Sequence, residues 1–486
     1  MNRPLRRVAV ACLVLFGLLL VNVNLRQTVL AEGYRENPAN SRVLERTYDR
    51  ERGAIALSGA DRTLVARSEE TDGRFRYLRT YPGQGLYAHV TGFYSFIFGA
   101  TGVERTEDEV LTGEDPRLFV DRVTDTLTGR EPRGGDVVLT LQQAVQQAAF
   151  DALGDNRGAV VALDPRTGAV LAMVSKPTFD PNVLSSFDPA QIRASYEELN
   201  GRADKPLLNR AINQTYPPGS TFKVITSAAA LQAGRTPETQ VPSPTVLDLP
   251  QTSATLPNFG GGTCGGDTTT LANALRISCN TAYGQLGLDL GADALRTQSE
   301  AFGFGREDLR IPLAVAPSRF PADPNPPQTA QSAIGQFDVQ VTPLQMAMVA
   351  AGVANRGQVM SPYLVQEVQA PDLSELDVAE PEVLSDAVPA SVAEQLTAMM
   401  ELVVNDGSAT GAQIPGVRVA GKTGTAQNAE GSDPHAWFIG FAPAEDPQVA
   451  VAVIVENGGS FGSEATGGRV AAPIAKAVMQ AVVGGR

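Results

Sequence analysis

The feature that most constrains this chain is at its start. A short basic tip, Met1 to Arg7, precedes an unbroken apolar run from Val8 to Val21, extendable to Leu25 across Asn22 and Asn24. A membrane span takes about 20 apolar residues, and a signal-peptide core about 10–14. The run lies between those lengths, and Val29-Leu30-Ala31 offers a cleavage site. A retained anchor and a removed leader are therefore both open. Arg6 and Arg7, directly beside the run, argue against a buried core helix. A positive flank stays in the cytoplasm, so everything after Leu25 is expected outside the membrane, with residues 1–25 as cytoplasmic tip and anchor. The expected location is a single-pass cell-membrane protein with an extracytoplasmic body.

That body is large enough for about three domains. The formal net charge is −14. Such a body repels phosphate backbones, so no nucleic-acid partner is expected. With one Trp and two His, neither an aromatic stacking platform nor a histidine-built metal site is expected; no metal and no cofactor are called for. His89 and His435 read as structural. Only Lys176, Lys205, Lys223, Lys422 and Lys476 supply lysine, so each is informative. Outside the membrane thiols are free to oxidise. Cys12 lies in the apolar run, leaving Cys264 and Cys279, fifteen positions apart. They are either disulfide partners or two buried small apolar side chains; their spacing does not resemble a zinc site.

Residues 26–135 are polar, rich in Arg and Glu, and broken by turns, with one short strand within Arg50–Leu57. A non-catalytic support or docking module is the expectation. From 136 to the end the pattern changes. An extended run, Asp136–Leu141, feeds a helix over Gln142–Leu153. Gly158–Leu163 and Ala169–Val174 flank Asp164-Pro-Arg-Thr-Gly168, a hairpin with Pro and Gly placed for a turn. Helices are expected over Phe222–Gln232, from Thr270 towards Gly284, and over Thr342–Ala354, Ala390–Val404 and Ala471–Val483. Strands are expected over Val417–Thr423, Ala436–Phe441 and Val449–Glu456. Pro312–Pro327 reads as loop, Asn258–Asp267 as a glycine-rich loop, and Pro371–Pro389 as an acidic connector. The class is α+β: an antiparallel sheet flanked by helices, with an all-helical insertion.

Three short segments carry chemistry. Pro217-Pro-Gly-Ser-Thr-Phe-Lys223 sets Ser220 at a helix N-terminus with Lys223 three positions on, on the same face. A serine hydroxyl needs a proton acceptor to become a nucleophile. A lysine serves only when neutral, through desolvation or a second cation nearby. The apolar run Val224–Ala230 supplies burial. An N-capping Ser beside a surface Lys gives the same letters, but the pattern occurs once in this Lys-poor chain. Ser278-Cys-Asn280 adds a second hydroxyl and an amide. Lys422-Thr-Gly-Thr425 adds a strand-borne cation suited to a carboxylate, hydroxyls at Thr423 and Thr425, and at Gly424 room for close backbone approach. Gly416-Val-Arg-Val-Ala-Gly-Lys-Thr423 also matches the P-loop pattern. Context rejects it, because Val-Arg-Val-Ala has strand character and no helix opens at the Lys.

Ser-x-x-Lys, Ser-x-Asn and Lys-Thr-Gly, in this order, resemble the signature of penicillin-binding proteins and serine β-lactamases. Gly158–Asn182, Leu208–Ala211, Ile334-Gly-Gln336 with Thr342-Pro-Leu-Gln345, and Ala436–Phe441 are also similar to that family. The resemblance covers residues 136–486 strongly and the anchor and Arg50–Ile55 more loosely. The plan is most like a monofunctional class B penicillin-binding protein of the actinobacterial type. A fold follows by implication: the penicillin-binding transpeptidase domain, a pedestal-like N-terminal domain and one membrane helix.

The resemblance implies a D,D-transpeptidase that crosslinks peptidoglycan stem peptides ending in D-alanyl-D-alanine and is acylated by β-lactams. Ser220 is implied as nucleophile, Lys223 as its general base, Ser278 as proton relay and Asn280 as the group orienting Lys223 and the substrate amide. Lys422, Thr423 and Thr425 are implied to bind the terminal carboxylate. The N–H groups of Ser220 and Thr425 are implied to form the oxyanion hole. A polytopic glycosyltransferase of the RodA/FtsW type is the implied partner. Three other readings share these motifs or the fold. A β-lactamase or D,D-carboxypeptidase uses water in place of the acceptor amine, and a scaffold or sensor retains the fold without catalysis. Elongation and septation are both open as roles.

Overall fold

The computed structural model describes residues 3–29, 48–59, 61–129, 131, 133–427 and 432–484. The apolar run forms helix α1 (Arg3–Asn24) and continues as a π-helical turn to Val29. Over Arg6–Thr28 its mean hydropathy is 2.5 and none of it is buried, so among the described residues it is the one helix long and apolar enough to cross a membrane. Leu30 and Ala31 of the suggested cleavage site lie outside the described residues.

The next elements are strands β1 (Ile55–Leu57), β2 (Leu64–Glu70), β3 (Tyr77–Thr80) and β4 (Asp136–Leu139). Helix α2 (Gln143–Leu153), strands β5 (Gly158–Leu163) and β6 (Val170–Lys176), helix α3 (Lys223–Gln232) and strand β7 (Thr255–Pro257) follow. Then come helices α4 (Leu271–Arg276), α5 (Asn280–Leu290) and α6 (Pro343–Ala354), strands β8 (Val365–Gln369) and β9 (Glu375–Val378), and helix α7 (Ala390–Asp406). Strands β10 (Ala420–Ala426), β11 (His435–Ala442) and β12 (Val449–Val455) and helix α8 (Ala471–Val483) end the chain.

Two sheets organise these elements. The catalytic sheet runs β10-β11-β12-β5-β6, antiparallel throughout. Strands β5, β11 and β12 are buried at every position, the pattern of a sheet covered on both faces. Helices α2 and α8 pack against it and each other, while α6 packs on β5, β11 and β12. Helix α6 is apolar all round and wholly buried, as such a helix must be; Thr342 opens it, its hydroxyl accepting from Gln345 N.

The other sheet runs β9-β8-β4-β1-β2-β3. Strand β4 pairs in parallel with β1 and antiparallel with β8. The sheet therefore joins strands from both sides of residue 135, the boundary expected between the support module and the rest. Glu104, fully buried, anchors this region between Arg52 (2.7 Å) and Arg79 (2.6 Å).

Three expectations change. The acidic connector 371–389 contains β9 and a further strand, Val383–Asp386, paired with Gln358–Met360. The helix expected from Thr270 towards Gly284 is two helices, α4 and α5, broken at 277–279. The strand expected over Val417–Thr423 runs instead from Ala420 to Ala426, so the Lys-Thr-Gly segment lies within it.

Candidate active site

The nucleophile segment is a tight turn. Gly219–Phe222 forms one 3-10 turn that runs into α3. Gly219 has φ +53° and donates its N–H to Gly335 O at 2.9 Å. Thr221 Oγ1 donates to Pro218 O (2.8 Å), and the single Trp, Trp437, donates its indole N–H to Pro217 O (3.1 Å). The turn lies against β10. A Cβ added at Gly424 would stand 2.9 Å from Pro218 O and 3.0 Å from Thr221 Cγ2, so only glycine admits this approach.

Helix α3 carries Lys223 wholly buried. Its Nζ donates to Ser278 O and to Asn280 Oδ1, both at 2.7 Å, and lies 3.3 Å from Ser278 Oγ. Lys422, also wholly buried, reaches the same hydroxyl from β10. Its Nζ donates to Ser278 Oγ (2.9 Å) and to Thr423 O (2.8 Å). Ser278 thus bridges two buried amines. Three segments spread over two hundred positions converge on one cluster of side chains.

The electrostatics follow from burial. Desolvation first, and then the neighbouring Lys422 charge, hold the Lys223 amine well below the usual lysine range. Desolvation alone lowers Lys422 to about 7. Lys223 Nζ has three polar neighbours, Ser278 O and Asn280 Oδ1 at 2.7 Å and Ser278 Oγ at 3.3 Å, and the downward shift favours the unprotonated amine that a general base requires.

Ser278 has φ +64°, a left-handed backbone that costs a non-glycine residue on the order of 1–3 kcal/mol and that clusters at functional sites. The bonds from Lys223 are one restraint on it. Another is the disulfide joining Cys279 to Cys264, which ties the glycine-rich loop to the segment.

The outcome differs among the expected residues. Ser220, Lys223, Ser278, Asn280, Lys422, Gly424 and Thr425 fall together in one region of the fold. Lys223 bonds Ser278 and Asn280 rather than the Ser220 hydroxyl, which has no hydrogen-bond partner among the described residues. The Thr423 hydroxyl is paired with Ser408 Oγ at 2.6 Å, a partner that the sequence did not suggest. Trp437, Gly335 and Asn258 also shape the site. Trp437 and Gly335 lie in stretches already noted as similar to the family; Asn258 had no signal beyond its place at the start of a glycine-rich loop. His89 and His435 are both buried. His89 Nε2 bonds Pro206 O and His435 Nδ1 accepts from Asn457 N, and neither contacts the two lysines. Among the described residues no His, Cys, Asp and Glu cluster is placed to hold a metal.

A half-buried serine on a tight turn beside paired buried amines, on an antiparallel sheet with a helical insertion, is the apparatus of a serine acyltransferase. Residues 158–480 match the penicillin binding protein transpeptidase domain family, and residues 52–137 the penicillin binding protein A dimerisation domain family. The chain is 50% identical over 492 residues to the peptidoglycan D,D-transpeptidase PbpA of Mycolicibacterium smegmatis, with 99% of each chain covered. It superposes on penicillin-binding protein A from M. tuberculosis as its ceftriaxone acyl-enzyme complex, with TM-score 0.88 and 46% identity over 90% of this chain and 99% of that one. The penicillin G acyl-enzyme complex of the same protein gives TM-score 0.85 and 46% identity, covering 89% and 100%. The chain belongs to the penicillin-binding protein transpeptidases and has the class B architecture.

Proposed function

We propose that this chain crosslinks peptidoglycan through a Ser220 acyl-enzyme. The observation that carries this is the convergence of Lys223 and Lys422, both stripped of water, on Ser278 beside the Ser220 turn. Ser220 Oγ attacks the penultimate D-alanyl carbonyl of a donor stem peptide, and its proton passes to the Lys223 lone pair. The N–H groups of Ser220 and Thr425 hold the developing oxyanion. The C–N bond breaks, Ser278 relays a proton to the departing nitrogen, and D-alanine leaves. An amine of a second stem peptide then attacks the ester and regenerates the Ser220 hydroxyl. Lys422, Thr423 and Thr425 bind the donor carboxylate, and Asn280 orients Lys223 and the substrate amide. β-Lactams enter by the same attack and remain as esters.

Residues 136–486 form the transpeptidase domain in this reading, and 26–135 its support. Helix α1 is read as a single-pass anchor that places both outside the cell membrane, where a RodA/FtsW-type glycosyltransferase is the partner. Mass spectrometry after incubation with penicillin tests the central claim. A stable adduct mapped to Ser220, absent in Ser220→Ala, is expected; rapid turnover of penicillin without an adduct would make the chain a hydrolase.

A further inference from the structure

Helix α5 begins at Asn280, the residue that bonds Lys223, yet no local side chain caps it. Cys279, in the cap position, makes no capping bond and is committed to its disulfide. The first N–H groups of a helix need acceptors from elsewhere. They find one in Asn258, which is 22 positions away and buried at 8% exposure. Its Oδ1 accepts from Asn280 N at 2.8 Å and from Thr281 N at 3.1 Å. Its Nδ2 donates to Gly262 O (3.1 Å) and Thr281 Oγ1 (3.3 Å).

The neighbouring residue completes the clamp. Pro257 O accepts from Asn280 Nδ2 at 3.2 Å. With its nitrogen held there, the Asn280 carboxamide can present only Oδ1 to Lys223. Asn258, just past β7, therefore fixes the main chain of Asn280, and Pro257, which ends β7, fixes the rotation of its side chain. Ser278, two residues earlier in its left-handed conformation, inherits that placement.

We propose that Asn258 is a positioning residue for acylation. It caps α5 from a separate segment and thereby holds Ser278 O and Asn280 Oδ1 each 2.7 Å from Lys223 Nζ, the two short bonds that fix where the amine stands beside the Ser220 turn. The decisive atom is the Oδ1 acceptor. The inference rests on the function proposed above.

Acylation of the full chain by a fluorescent penicillin, followed to saturation, separates the maximal acylation rate from the binding constant. Asn258→Ala should lower the maximal rate on the order of 10²-fold, as misplacement by about 1 Å does, with little change in binding. Asn258→Asp keeps the acceptor, and Asp and Asn cap helices about equally, so its rate should stay within about threefold of the wild type. A general packing role would not discriminate the two in this way. Thermal unfolding reports whether each variant is folded; if Asn258→Ala is not, Asn258→Ser, too short to reach α5, takes its place with the same expectation. A folded alanine or serine variant that acylates at the wild-type rate overturns the inference. So does an aspartate variant as slow as the alanine one. Failure of the wild type itself to be acylated would refute the proposed function instead.

Discussion

Gly335 offers the sharpest test of how the nucleophile turn is held. It has φ +73°, and a Cβ there would stand 2.1 Å from Gly219 O and 2.8 Å from Phe222 Cβ. Ordinary contact requires one segment to retreat by about 1 Å. The left-handed backbone costs alanine about 1–2 kcal/mol and the overpacking about 1–3 kcal/mol, so Gly335→Ala should destabilise by about 2–5 kcal/mol. Because Gly219 directly precedes Ser220, the retreat also misplaces the hydroxyl, and acylation should fall on the order of 10²-fold. Gly305→Ala supplies the control: its φ is +79°, with no atom within 4 Å of the added Cβ. It carries the backbone cost alone and should acylate normally. Acylation by fluorescent penicillin and thermal unfolding are measured on both variants. If Gly335→Ala acylates within about threefold of Gly305→Ala, the contact does not position the turn and the reasoning fails.

Lys422 makes a statement about stability. Burial lowers it to about 7, whereas an unfolded lysine keeps its proton to about 10.4. Between those limits the unfolded chain binds more protons, so this group's contribution to stability rises with pH from about 7 to about 10. Lys422→Met should flatten the rise by about 1.4 kcal/mol per pH unit, measured by urea unfolding at pH 7.5 and 9; an unchanged slope would contradict the buried, neutralised amine. For the disulfide, thiol labelling of the denatured, unreduced chain should count one thiol, Cys12, of the three cysteines. Cys279→Ser should cost about 3 kcal/mol for a loop of this length. A count of three thiols before reduction would exclude the bridge.

Much of the catalytic half was legible because its signals are local. The hairpin β5–β6 announced itself through Asp164-Pro-Arg-Thr-Gly168, and α8 begins and ends where its apolar pattern does. What was missed depends on distant partners. Gly424 and the flanking threonines do not read as strand, yet β11 imposes that geometry by pairing Lys422 with Ile439 and Gly424 with Trp437. The break at Ser278 is likewise invisible locally, because a lysine 55 positions away and a disulfide hold it. In 371–389 the acidic composition concealed two short strands whose partners lie elsewhere in the chain. The convergence of three motifs was readable; the direction of each polar atom was not. Hence Lys223 turned to Ser278 and Asn280 while the Ser220 hydroxyl stood apart.

The sheet shared across residue 135 has a practical side. A fragment starting at Asp136 would keep β4 beside β8 but strip away β1, which covers the buried residues Val137, Val138 and Leu139. That leaves a naked apolar margin able to recruit other chains. Soluble preparations of the catalytic half should therefore begin upstream of β1, carrying its neighbour with them.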